Sequence, residues 1–87
     1  MSTIRDAIAE VDEEIIVLDP EYFDDAIIGF ATRGGTTVVL YDKDDIIEIL
    51  KAEDGMSEED ALEHFYYNIQ RIQAGDKAPM FLERFYE

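Results

Sequence analysis

The chain has 87 residues, 22 of them Asp or Glu and 7 of them Lys or Arg, so it carries a formal net charge of −15 and is expected to form a single domain, residues 1–87. This balance excludes a conventional nucleic-acid-binding protein, because such binding depends on Lys and Arg releasing counterions from phosphates. The lack of cysteine excludes disulfides and thiolate metal sites, and the short apolar runs favour a cytoplasmic protein that does not enter membranes.

The first 25 residues predict a helix, a buried strand and a turn. Ser2 or Thr3 is a suitable N-cap, and apolar residues at positions 4, 7, 8 and 11 have the spacing of a short amphipathic helix. The β-branched run at residues 15–18 favours a largely buried strand that Asp19-Pro20 would end. Pro20 is also placed to start a single helical turn that leads toward the next strand.

A β-hairpin between residues 26 and 41 is the strongest local prediction. Residues 26–32 and 37–41 have the composition of strands. The segment Arg33-Gly34-Gly35-Thr36 lies between them and supplies the residues with positive φ that a tight turn needs.

Two helices follow the hairpin, each with start and stop signals. Asp42 is expected to cap the first helix, which Gly55 would end as a C′ glycine. Ser57 is expected to cap the second helix, which would run to about Gln73, with Met56 placed for a hydrophobic staple. Because the link between them is so short, the two helices are expected to pack roughly antiparallel.

Residues 79–82 predict a last strand, in which Pro79 favours the strand start or an edge position. Together the elements predict an α+β fold. It consists of a small antiparallel β-sheet with a β-hairpin, packed against an antiparallel helix pair, plus a short N-terminal helix.

The negative charge is concentrated in two blocks. Residues 1–25 hold nine acids and one base, and residues 42–63 hold ten acids and two bases. Residues 26–41 hold only Arg33, and residues 64–87 are neutral overall. Several of the acids lie in predicted first helical turns, where the macrodipole stabilises a carboxylate by roughly 0.3–1 kcal/mol. Solvation alone is therefore one explanation of the charge, and an origin in high salt is another, although the isoleucine-rich composition speaks against it.

A surface selected for a partner is the alternative explanation. Two like-charged pairs at i, i+4 on the predicted helices each cost a few tenths of a kcal/mol, and Lys would be the stabilising choice there. An aromatic residue in line with the second pair adds an interface anchor. The candidate partner-binding residues are Asp44, Asp45, Glu48, Glu59, Glu63 and Tyr67.

Signals for catalysis or metal binding are weak. His64 is the single histidine and lies beside the apolar stripe of its predicted helix, where it could pair with Asp60. Residues 42–45 resemble the start of a calcium loop, but Ile47 stands where that loop needs glycine. We therefore expect no catalytic residue, no metal site and no cofactor.

Aromatic residues near the C-terminal end raise the question of self-association. Phe81 is expected in the core. Phe85 and Tyr86 are expected either to cover an edge of the domain or to form a homodimer contact.

Several short motifs carry a resemblance to a known group of proteins. They are Leu18-Asp19-Pro20, residues 23–29 with the run AIIG, Tyr41-Asp42, residues 54–61 with the run DGMSEEDA, Phe65 with Asn68, and Ala78-Pro79. In these motifs the chain resembles a scattered group of short acidic proteins, mostly phage-encoded, over roughly residues 18–82. The resemblance implies a phage or prophage context, in which small proteins directed at host proteins are frequent, and it assigns no catalytic or binding residue.

Two functions remain open at this point. The first is a non-enzymatic acidic protein, with no direct affinity for nucleic acid, that engages a basic host protein by presenting carboxylates in place of phosphates; nucleic-acid-handling proteins are one class of such partners. The second is a small structural or adaptor protein that acts through its aromatic and hairpin surfaces, with the charge serving solubility only.

Overall fold

The computed structural model describes residues 4–18, 21–69 and 75–85. It confirms the α+β class. No helix in these three ranges is long and apolar enough to span a membrane. The elements in chain order are α1 (Ile4–Val11), a 3-10 helix (Glu21–Ala26), β1 (Ile27–Arg33), β2 (Thr36–Asp42), α2 (Lys43–Asp54), α3 (Glu58–His64), a π-helix (Phe65–Ile69) and β3 (Met80–Leu82).

The sheet has β2 at its centre, in the order β1-β2-β3. β1 and β2 form the expected antiparallel hairpin, and their register places Phe30 opposite Val39. Gly34 and Gly35 have φ angles of 57° and 83°, so the two-residue turn uses the left-handed conformations for which glycine is suited.

β3 runs parallel to β2, with Leu40 opposite Met80, so the prediction of a purely antiparallel sheet is wrong. The reason is topological. The chain between the two strands passes through α2 and α3, and a helical crossover of this length can return the chain to a neighbouring strand in the same direction. The composition of residues 79–82 predicts a strand, but it does not predict whether that strand pairs parallel or antiparallel with its neighbour.

The predicted strand at residues 15–18 is also wrong, because the segment is irregular. The Ile16 N–H donates to the Lys77 carbonyl at 3.1 Å, and the Leu18 N–H donates to the Tyr41 hydroxyl at 2.8 Å. Ile15 and Leu18 are buried in the core. A short apolar run bounded by turn residues is equally typical of a buried strand and of a buried irregular segment.

The predicted ends of α2 and the start of α3 are confirmed. The Asp42 carboxylate accepts a hydrogen bond from the Asp44 N–H at 2.9 Å, which is the geometry of an N-cap. Gly55 ends α2 with a left-handed φ of 65°. Ser57 caps α3, as its hydroxyl accepts from the N–H three residues ahead at 3.2 Å.

Three other sequence predictions reach beyond the described residues. The N-cap expected at Ser2 or Thr3 and the strand end expected at Asp19-Pro20 lie outside them, whereas the helical turn expected after Pro20 is present as the 3-10 helix. The helix expected to run to Gln73 is α-helical to His64 and π-helical to Ile69, and its later residues lie outside the described ranges.

The core lies between the central strand and the helices. Tyr41, Ile46, Leu50 and Phe65 are completely buried there. The Phe81 ring stacks on Tyr41 at a centroid distance of 5.9 Å and meets Phe65 edge-on at 5.0 Å, so Phe81 packs against the core as a half-buried residue and is not completely enclosed in it.

Exposed apolar side chains remain at both ends of the chain. Phe85 is fully exposed, so the expectation that it covers an edge is wrong, and Tyr86 lies outside the described residues. Helix α1 buries Ile8 but leaves Ile4 and Val11 exposed, so only part of its predicted apolar face is used.

Candidate functional site

The six candidate residues lie on α2, α3 and the π-helix. Five of them are exposed, and Asp44 is half-buried beside the N-cap. Tyr67, the one candidate that is not an acid, has 66% of its surface exposed. The structure therefore presents Asp45, Glu48, Glu59, Glu63 and Tyr67 to solvent, as a binding surface requires.

Helix α3 is the most one-sided element in charge. It carries four carboxylates and no Lys or Arg, in the sequence EEDALEH. None of the four forms a salt bridge with a described residue. Three of them lie in the first turn, where the macrodipole favours negative charge. Glu63 lies beyond that turn and has neither source of compensation.

Helix α2 is partly compensated. Lys51 Nζ lies 3.5 Å from the Glu48 carboxylate, an exposed i, i+3 pair. Exposed pairs of this kind contribute roughly 0.3–0.5 kcal/mol, so the pair offsets part of the repulsion between Asp44 and Glu48. Of the two like-charged pairs found in the sequence, the one on α3 is therefore the more costly to the fold.

The other positive side chains of the described residues join segments that are distant in the chain. Arg33 donates to the backbone carbonyls of Gly75, Asp76 and Ala78 at 3.3–3.4 Å. The remaining four bind carboxylates at least 19 residues away. These ion pairs are Arg5–Asp24, Lys43–Glu83, Lys77–Asp12 and Arg84–Asp42.

Two of these ion pairs form what we call the clasp, made of Asp42, Lys43, Glu83 and Arg84. The parallel register explains it: Asp42 lies opposite Leu82, so the residues that follow each strand meet. Lys43 Nζ donates to Glu83 Oε1 at 2.8 Å. Asp42 is completely buried, and its Oδ2 atom faces the Arg84 guanidinium in an ion-pair contact that lacks hydrogen-bond alignment.

Lys43 also holds the start of the π-helix. Its Nζ donates to the Tyr66 hydroxyl and lies 4.7 Å from the centroid of that ring. Burial works against the positive charge, but the hydrogen bonds to Glu83 and Tyr66 outweigh it and raise the pKa of Lys43. Lys43 is therefore charged and engaged in the clasp, and it contributes little positive charge to the outer side of α2.

The π-helix changes the geometry on which the sequence prediction for Tyr67 depended. The i, i+4 alignment of Tyr67 with Glu63 assumes α-helical spacing, whereas a π-helix bonds i to i+5. The expected pairing of His64 with Asp60 is replaced by a contact of 3.3 Å between His64 Nδ1 and the Asn68 amide nitrogen.

The candidate site is a surface and not a cleft. Within the described ranges the surface forms no pocket, and no three acids or histidines are placed to hold one metal ion. Sequence reasoning found its exposed acids but missed the clasp. The signal for the clasp was present as two dipeptides, Asp42-Lys43 and Glu83-Arg84, each with an acid followed by a base, and only the register of β3 brings them together.

Comparison of the chain with models of known protein families, with curated protein sequences and with solved structures found no match. The functional argument therefore rests on the charges, exposures and contacts described above. We call the carboxylates of Asp44, Asp45, Glu48, Glu59 and Glu63 the acidic surface.

Proposed function

We propose that this chain is a non-enzymatic binding protein that engages a basic protein through the acidic surface. The observation that carries the proposal is on α3, whose four carboxylates form no salt bridge with a described residue. The like-charged pair Glu59 and Glu63 at i, i+4 destabilises the helix, and a Lys at either position would be stabilising. A positive partner would supply the missing counter-charge.

The density of charge supports a partner that ordinarily binds nucleic acid. Helix α2, with 12 residues, is about 18 Å long. Duplex DNA carries about one charge per 1.7 Å, or about ten charges over that length. Residues 43–64, which comprise α2, the link and α3, hold nine acids and two bases, a net charge of −7 over more chain than the length of α2. The charge per length is therefore lower than that of DNA but of the same order, so a surface that binds DNA phosphates would find a field of the same sign and scale here.

The proposed partner class is a host protein, which rests on the resemblance to phage-encoded proteins. Binding dominated by such charges has two signatures. It weakens steeply as salt increases, because the Debye length falls from about 10 Å at 0.1 M to about 3 Å at 1 M. It is also competed by DNA, although the chain itself has no affinity for DNA.

A pair of charge-reversal variants tests the proposal. The first variant changes Asp45, Glu48 and Glu63 to Lys, within the acidic surface. Purified basic DNA-binding domains would be titrated against the wild type and this variant, with and without duplex DNA, at low and high salt. We expect at least one domain to bind the wild type and to lose most of that binding with the variant, since three attractive charges become repulsive.

The matched control changes Glu10, Glu13 and Glu14 to Lys, which gives the same net charge from exposed positions on and after α1. We expect it to keep most of the binding. Equal loss in both variants would show that net charge alone is responsible, and binding that ignores salt would contradict the electrostatic mechanism.

The adaptor function is the second candidate, and the exposure of aromatic side chains favours it. Tyr67 and Phe85 are both largely open to solvent. Under this function Tyr67→Ala abolishes binding to the partner while the reversal of the acidic surface leaves it intact. The same titrations therefore separate the two functions.

A further inference from the structure

Strand β1 is a sheet edge with little protection. Among the described strands it pairs only with β2, so its outer side carries backbone N–H and C=O groups that can template another strand. Natural proteins protect such edges with lysine, proline or short length. β1 has seven residues, no proline and no lysine. Its register shift lies between Ile27 and Gly29, so the pairing from Gly29 to Arg33 is regular.

The edge also exposes large apolar side chains. Ile28 is 49% exposed and Phe30 is 47% exposed. Phe30 lies opposite Val39, which belongs to the core cluster formed with the helices, so Phe30 is on the side of the sheet that packs against the helices. A further strand beside β1 would therefore cover apolar surface as well as pair backbone groups.

The distribution of charge indicates which molecule pairs with the edge of β1. Two copies of a chain with a net charge of −15 repel each other, and contact is least costly where both surfaces lack carboxylates. Residues 26–41 contain no acid at all, and their one base, Arg33, is turned toward the carbonyls of residues 75–78. A basic partner would find no carboxylate along β1, whereas a second β1 meets an equally uncharged surface.

We propose that two copies of this chain form a homodimer by antiparallel pairing of their β1 strands. The contact is isologous, with a two-fold axis perpendicular to the sheet. It produces a continuous six-stranded sheet and places the helices of both copies on the same side. The acidic surface lies on α2 and α3 and contributes no residue to β1, so the homodimer goes beyond the proposed function and does not depend on it.

The test is the molar mass in solution, measured by light scattering and sedimentation over a range of concentrations and at low and high salt. We expect a species of about 20 kDa, twice the chain mass of 10.0 kDa. Dimerisation is expected to strengthen with salt, because screening reduces the repulsion between the copies. Binding to a basic partner weakens with salt, so the two proposals fail separately.

Two lysine substitutions at the edge locate the contact. Phe30→Lys and Ile28→Lys are each expected to weaken dimerisation by about tenfold or more, since lysine is the residue that protects natural edges. Val11→Lys is the matched control, because Val11 is an exposed apolar residue of α1 and the change in charge is the same. Circular dichroism of each variant checks that the fold is kept.

Hydrogen exchange gives a second readout on the unmodified chain. The amides of β1 are expected to exchange more slowly at concentrations that favour the dimer, and those of α1 to be unchanged. A chain that stays monomeric at every concentration and salt would overturn the proposal. So would a dimer that both edge variants leave intact, since such a dimer forms elsewhere on the molecule.

Discussion

The Asp42 carboxylate both caps α2 and pairs with Arg84. Substitutions at Asp42 can therefore separate what each of these two interactions contributes to stability. Asp42→Ala removes the N-cap of α2, a loss of about 1 kcal/mol. It also removes the ion pair with Arg84, whose side chain is 58% exposed and remains solvated when the pair is broken. After discounting for that solvation, the ion pair adds no more than about 1 kcal/mol. We expect Asp42→Ala to destabilise the domain by about 2 kcal/mol.

Asp42→Asn separates the two contacts. An asparagine oxygen still accepts the hydrogen bond from the Asp44 N–H, and Asn is as good an N-cap as Asp. The change removes the charge and replaces Oδ2, which faces the Arg84 guanidinium, by an amide NH2 group; because Arg84 is exposed enough to turn away, the expected cost is about 1 kcal/mol. Arg84→Met leaves the buried Asp42 carboxylate without its counter-charge and should therefore cost more than Asp42→Asn, about 1–3 kcal/mol.

Urea unfolding followed by circular dichroism measures these differences, provided that the slope against urea stays constant. A loss of about 2 kcal/mol corresponds to a decrease in Tm of about 8–16 °C for a domain of this size. The reasoning would be refuted if Asp42→Asn were as destabilising as Asp42→Ala, because the cap would then contribute nothing.

Two further predictions concern the core and the Asp12–Lys77 pair. Tyr41→Phe should cost about 1–3 kcal/mol in urea unfolding, because it leaves the buried Leu18 N–H without its acceptor, while Tyr67→Phe should cost nothing measurable. The hydrogen bond from Lys77 lowers the pKa of Asp12 below 3.8, so the stability lost in Asp12→Asn should be constant near neutral pH and should vanish as the pH falls through the lowered pKa. A difference between wild type and Asp12→Asn that grew as the pH fell would contradict this assignment.

The elements that the sequence predicted correctly are those whose signals are local. The N-caps Asp42 and Ser57, the terminating Gly55 and the paired glycines of the hairpin act within four residues of their own positions. Their physical effects do not depend on the rest of the fold, so the residue type alone was sufficient to place them.

The errors concern pairing between distant segments. The direction of β3 depends on how the chain returns from α3, and the irregular path of residues 15–18 depends on contacts with Tyr41 and Lys77. Neither is encoded in the composition of the segment itself, because a buried apolar run looks the same in both arrangements.

The candidate site was predicted to a similar extent. Exposure of the acids followed from their helical positions, and the pairing of Glu48 with Lys51 could be anticipated from i, i+3 spacing. The ion pair of Lys43 with Glu83 in the clasp could not be anticipated, because it depends on the parallel register of β3. The π-helix at Tyr67 likewise follows from packing and has no local sequence signal.

The parallel return of β3 imposes an order on folding. The hairpin closes through a two-residue turn, whereas Leu40 meets Met80 only after 40 residues have been brought together, at a larger entropic cost. We therefore expect the β3 side of β2 to pair later than the hairpin side. A chain in which that side is still unpaired exposes a strand edge, and the mutual repulsion of chains with a charge of −15 opposes its association with neighbouring copies.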